Sequence, residues 1–139
     1  MSLAEKIVAA AREAVDTPFR HQGRIPGKGM DCAGLAIHAA QAAGIEVHDE
    51  TGYPRIPGGG RLEAAFDKQP GFIRVPVASL RDGDILLMTF AGQPQHVGIV
   101  AGINIIHAYE PTGRVVEHGL TPAWRRRIVR AYRVLEDQE

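Results

Sequence analysis

The 139 residues are 45% hydrophobic and 23% charged, an ordinary globular composition that suffices for a single domain over 1–139 with a real core. Sixteen basic side chains balance sixteen acidic ones, so no net field draws the chain to nucleic acid or to an anionic membrane. A lone cysteine excludes an internal disulfide and an ordinary zinc site of several thiolates.

The opening Met1-Ser2-Leu3-Ala4-Glu5-Lys6 has neither a basic leader nor a long apolar run. It is read as cytoplasmic synthesis without signal peptide or membrane span. Residues 2–15 then form a predicted amphipathic helix, with Leu3, Ile7, Val8, Ala11 and Val15 on one face. Asp16-Thr17-Pro18 ends it, because proline disfavours helix at the residue before it. The stretch 19–29 holds three glycines and a proline and reads as a shaped loop. It leads directly to Asp31 and Cys32, so it is expected to wall one side of the thiol.

Asp31 is a good N-cap, which starts a helix at Cys32 that runs to about Ala43, with Gly44 beyond it. The helix is apolar nearly all round and so is predicted to be central. His38 lies about 240° round it from Cys32 and is read as structural or exposed. A thiol in a first helical turn sits in partial positive charge, so its pKa is expected to fall and the sulfur to become a nucleophile. By itself the cysteine is more commonly buried filler. The histidines further on change that balance.

Residues 46–60 look irregular, 61–68 helical, and 72–75 a short strand. Arg81-Asp82-Gly83-Asp84 signals a tight turn, since no further carboxylates follow at calcium-loop spacing. The continuous apolar run 85–90 reads as a buried strand. Two more strands, 96–101 and 103–109, flank Gly102. A hairpin about Gly102 and Ile103 pairs Ala101 with Asn104, which puts His96 opposite Tyr109. His107 then shares a face with His96, about 7–8 Å away between backbones. Strand 114–117, a helical turn at 121–124 and a closing strand at 128–135 follow. Arg125-Arg126-Arg127 reads as a solvated edge.

A thiol that attacks an amide needs a base to take its proton, and that base needs a third group to orient it. Cys32, His96 and His107 supply these three roles, and the backbone N–H of Cys32 can serve the oxyanion. At this point a resemblance appears. Asp31-Cys32-Ala33-Gly34-Leu35, His96-Val97-Gly98-Ile99-Val100 and Ile106-His107-Ala108 resemble the boxes of NlpC-type papain-like cysteine peptidases. Thr17-Pro18-Phe19-Arg20 and Arg81-Asp82-Gly83-Asp84 resemble further elements of that family, in the same order.

The resemblance implies an α+β fold, with the cysteine helix packed on an antiparallel sheet. It implies hydrolysis of peptidoglycan stem peptides between D-γ-glutamyl and a diamino acid, through a thioester. Cys32 is then the nucleophile, His96 the base and His107 the third member, with Phe19, His21 and Asp31 on the substrate side. No cofactor and no metal are implied. Phe19 stands where the family often has tyrosine, His21 where a larger aromatic is common, and the interval between the histidines is about one residue short. The stand-alone form and the Thr17-Pro18-Phe19-Arg20-His21-Gln22-Gly23 run are similar to peptidases encoded with phage tail genes. That likeness admits tail proteins as partners and a virion setting. A silent assembly module, a related cysteine amidase, and a zinc site built from Cys32, His96 and His107 are the alternative readings.

Overall fold

The computed structural model describes residues 1–49, 60–90 and 92–135. Most of the irregular stretch 46–60, and with it the question of whether that stretch covers the site, lies outside the described residues.

Helix α1 (Leu3–Glu13) starts on a capping box. Ser2 Oγ accepts from the Glu5 N–H, and the Glu5 carboxylate accepts from the Ser2 N–H. Its buried face, Ile7, Val8, Ala10 and Ala11, packs on helix α2 (Cys32–Ala42). The alanines of α2 let the two helices approach closely and lay them together on one face of a sheet. Between the helices, strands β1 (Arg24–Ile25) and β2 (Gly29–Met30) form a small hairpin inside the segment expected to be loop.

The main sheet contains β3 (Phe72–Val75), β4 (Ile85–Phe90), β5 (Gln93–Ala101), β6 (Asn104–Tyr109), β7 (Arg114–Gly119) and β8 (Ile128–Val134). Its order is β3-β8-β4-β5-β6-β7, and every neighbouring pair is antiparallel. The α+β architecture expected from the resemblance is therefore present. Short helices α3 (Arg61–Asp67) and α4 (Pro122–Arg125), with 3-10 turns at Val77–Ser79 and Glu110–Thr112, complete the described elements.

Strand β4 explains its own sequence. Ile85 and Leu87 face the helices, while Leu86 and Met88 face a second cluster with Val100, Ile105, Leu120 and Ala131. A strand covered on both faces has no reason to alternate. The Arg81–Asp84 segment is a turn. Asp84 is buried, accepts both nitrogens of the Arg133 fork at 2.9 Å, and accepts the Arg81 N–H at 2.8 Å. Asp82 accepts the Gly102 N–H at 2.6 Å, which ties this turn to the β5–β6 turn.

Candidate active site

The β5–β6 hairpin turns on two residues, Gly102 and Ile103, with Ala101 paired to Asn104. The paired register ends at Ile99↔Ile106, and the strands beyond it carry His96 and His107. As parity requires, the two rings meet: His96 Nε2 lies 2.6 Å from His107 Nδ1. Gly98, two residues along the strand from His96, leaves room for the Ile105 side chain. A Cβ there would lie 2.5 Å from Ile105 Cδ1 and 3.5 Å from the Cβ of His107.

The pair does not end at His107. His107 Nε2 lies 2.8 Å from Nε2 of His118, and His118 Nδ1 lies 3.0 Å from the carbonyl oxygen of Gly119. The sequence reading missed His118 because it ended this strand at residue 117, whereas β7 runs to Gly119. The signal was available. The three histidines are spaced by equal intervals of eleven residues, and the β6–β7 register pairs His107 with Val116, so His118 falls on the same face. Tyr109 stacks on His107, with centroids 5.1 Å apart, and Trp124 meets it edge-on at 5.0 Å.

Cys32 is the first residue of α2, as expected. Asp31 caps the helix, its Oδ1 accepting the Gly34 N–H at 2.7 Å. The same carboxylate accepts the Gln22 N–H at 2.8 Å and Arg24 Nη1 at 3.0 Å. Asp31 is only 4% exposed, so its oxygens lock the 20–24 segment to the helix start. Gly34 is held at close quarters by the same lock, because a Cβ there would drive into the Gly23 carbonyl oxygen.

Phe19 is laid between two strands. Its N–H donates to the Gly113 oxygen at 2.8 Å, and it bridges Met30 of β2. Phe19, His21, Asp31 and Cys32 line one cleft of about 250 Å³ together with Phe90, Gln95, His96 and Tyr109. A β-bulge between Met88 and Thr89 leaves Gln95 unpaired beside His96 on this wall. The shaped segment before Cys32 is thus a wall of the thiol's cleft. His107 lies behind His96, fully buried.

The electrostatics depart from one expectation. Burial, with Asp31 adding to it, pushes the Cys32 thiol up to about 12. The backbone N–H groups of Val97, Ala33 and Cys32 itself favour the thiolate but do not outweigh the loss of solvent. The helix N-terminus does not yield the lowered thiol pKa that its position suggested. His96 is held well below the usual imidazole range by burial, then by His107 and by the Arg127 cation. Burial, followed by His118, pushes His107 down to about 3. All three groups therefore rest uncharged near neutrality.

Arg125, Arg126 and Arg127 are all exposed, as the solvated-edge reading expects, and Arg127 adds a contact of its own. Its guanidinium lies 4.5 Å from the Phe90 centroid, and Nη1 donates to the Thr89 oxygen. Among the described residues, no three His, Cys, Asp or Glu side chains are grouped to hold a metal ion. His96 and His107 direct nitrogens at each other rather than at a common point.

Residues 16–133 match the NlpC/P60 family model, and the chain belongs to the NlpC/P60 family. It is 29% identical over 110 residues to the murein DD-endopeptidase MepS/murein LD-carboxypeptidase of Escherichia coli K12, a match covering 78% of this chain and 51% of that protein. It is 33% identical over 100 residues to the probable endopeptidase Rv2190c of Mycobacterium tuberculosis, covering 72% of this chain and 22% of that protein. The chain thus spans about half, or less, of the curated relatives it matches. The fold is shared with a crystal structure of an NlpC/P60 family protein from Bacillus cereus. That match has a TM-score of 0.70 at 22% identity and covers 96% of this chain and 40% of that one.

Proposed function

We propose that the protein is a cysteine endopeptidase of peptidoglycan stem peptides, cutting between D-γ-glutamyl and a diamino acid. The observation that carries this reading is the single cleft lined by a helix-capped cysteine and by a histidine whose far nitrogen is already engaged. Membership of the NlpC/P60 family, and the relatives named as murein and probable endopeptidases, support the substrate class.

In this reading His96 Nδ1 takes the Cys32 thiol proton as the sulfur attacks the peptide carbonyl. Both partners rest neutral, so proton transfer accompanies attack instead of preceding it. Backbone N–H groups around the sulfur receive the developing oxyanion. The imidazolium then protonates the leaving amine, and water, deprotonated by the same ring, hydrolyses the thioester. Phe19, His21 and Gln95 contact the peptide along the cleft, and Asp31 holds the wall that carries Phe19 and His21. Phe19 brings no hydroxyl to the site.

The phage-tail setting draws on the likeness of the Thr17-Pro18-Phe19-Arg20-His21-Gln22-Gly23 run. Mass spectrometry of purified wall fragments incubated with the protein tests the bond assignment. The expected new amino terminus is the diamino acid that followed D-glutamate. Cleavage confined to other bonds, or no cleavage, refutes it.

A further inference from the structure

We propose that His118 is a positioning residue that fixes which nitrogen of His96 faces Cys32. The inference extends the cysteine-peptidase reading and starts from a group that cannot change its role. A backbone carbonyl only accepts, so the 3.0 Å contact with the Gly119 oxygen puts a proton on His118 Nδ1, and where the ring carries a single proton that is its place. Its Nε2 is then an acceptor. The 2.8 Å contact with His107 therefore requires a proton on His107 Nε2, which leaves His107 Nδ1 as an acceptor. The 2.6 Å contact with His96 in turn requires a proton on His96 Nε2. His96 Nδ1 is left with a lone pair. With one proton on His118, one carbonyl at the end of β7 thus sets a single direction for three consecutive hydrogen bonds.

The reversed arrangement carries a penalty. It would set a lone pair of His118 Nδ1 against the Gly119 oxygen and a proton on His96 Nδ1, which turns the base into a donor. The rings have little freedom to escape the choice. His107 is fully buried, stacked against Tyr109 and flanked by Trp124, which also packs on His118 at 5.1 Å. Without a side-chain acceptor at 118, His107 Nε2–H loses its partner, and both directions of the His96–His107 bond become accessible.

Two readouts test this, and the first is independent of turnover. Long-range proton–nitrogen spectra of the histidine-labelled full chain at pH 7 should show an unprotonated Nδ1 and a protonated Nε2 in both His96 and His107, with the opposite pattern in His118. A protonated Nδ1 on His96 in the wild type overturns the proposal, even if no variant folds. In His118→Leu, kcat on a γ-D-glutamyl-diaminopimelate peptide should fall tenfold or more at unchanged KM, with a mixed His96 pattern. His118→Gln offers an amide oxygen near the Nε2 position and should recover most of both.

A His118→Leu protein with wild-type kcat and an unmixed pattern refutes the role, as does a Gln variant no better than Leu. If the wild type shows the expected pattern but cleaves no wall peptide, the proposed function fails while the proton arrangement stands. The two failures are thereby separated.

Discussion

Lowering the pH from 7 to 5 should cost the protein a large part of its stability, because the buried histidines refuse protons that the unfolded chain accepts. An unfolded histidine titrates near 6.5, whereas His107 is pushed down to about 3 and His96 well below its usual range. A depressed histidine contributes no penalty above its unfolded pKa. Stability is lost as pH falls from that value toward the folded one, since the unfolded state binds more protons there. At pH 5 the unfolded ring is about 1.5 units below its pKa, which at about 1.36 kcal/mol per unit gives ~2 kcal/mol for His107. His96, shifted in the same direction, adds to this, against a typical domain stability of roughly 5–15 kcal/mol. His38, also lowered by partial burial, acts in the same direction. Urea unfolding followed through Trp124 fluorescence at pH 7, 6 and 5 measures this, and the paired carboxylates do not yet titrate in that window. The slope at the acid end should correspond to at least one proton taken up on unfolding. A stability that stays flat from pH 7 to 5 would mean that the folded rings accept charge, and the buried histidine chain would be refuted.

The same depression sets the acid limb of activity. A base must be neutral, so kcat/KM should hold below pH 6.5 and fall only as His96 protonates; Arg127→Ala removes a nearby cation and should move that limb to higher pH. Iodoacetamide at pH 7 should label Cys32 more slowly than free cysteine, with a rate that climbs through pH 10 without an earlier plateau. Rapid labelling with a plateau near neutrality would show a thiolate–imidazolium pair instead. Gly34→Ala should destabilise the fold by about 1–3 kcal/mol, since the added methyl meets backbone rather than a yielding side chain; a thermal shift within error of zero would contradict the lock between segment 20–24 and α2.

The parts of the site legible in the sequence were those set by local rules. Asp31 as a cap places Cys32 in the first turn, and hairpin parity brings His96 and His107 to one face. Parity carried through the second hairpin would have reached His118 as well, but the strand was ended two residues early. Arg127 was not legible, because its place over Phe90 depends on β4 and β8 lying side by side. Nor was the thiol's pKa. A helix terminus is visible in the sequence, whereas the burial that overrides it comes from the tertiary packing around the sulfur.

If the sulfur of Cys32 performs the cut, a chain without it cannot cut. Cleavage of a γ-D-glutamyl-diaminopimelate peptide by Cys32→Ala, with its fold verified by the same urea titration, tests it most directly. The variant should retain wild-type unfolding behaviour and release no product over hours in which the wild type consumes the peptide. Product release by the folded variant at a wild-type rate would contradict the account.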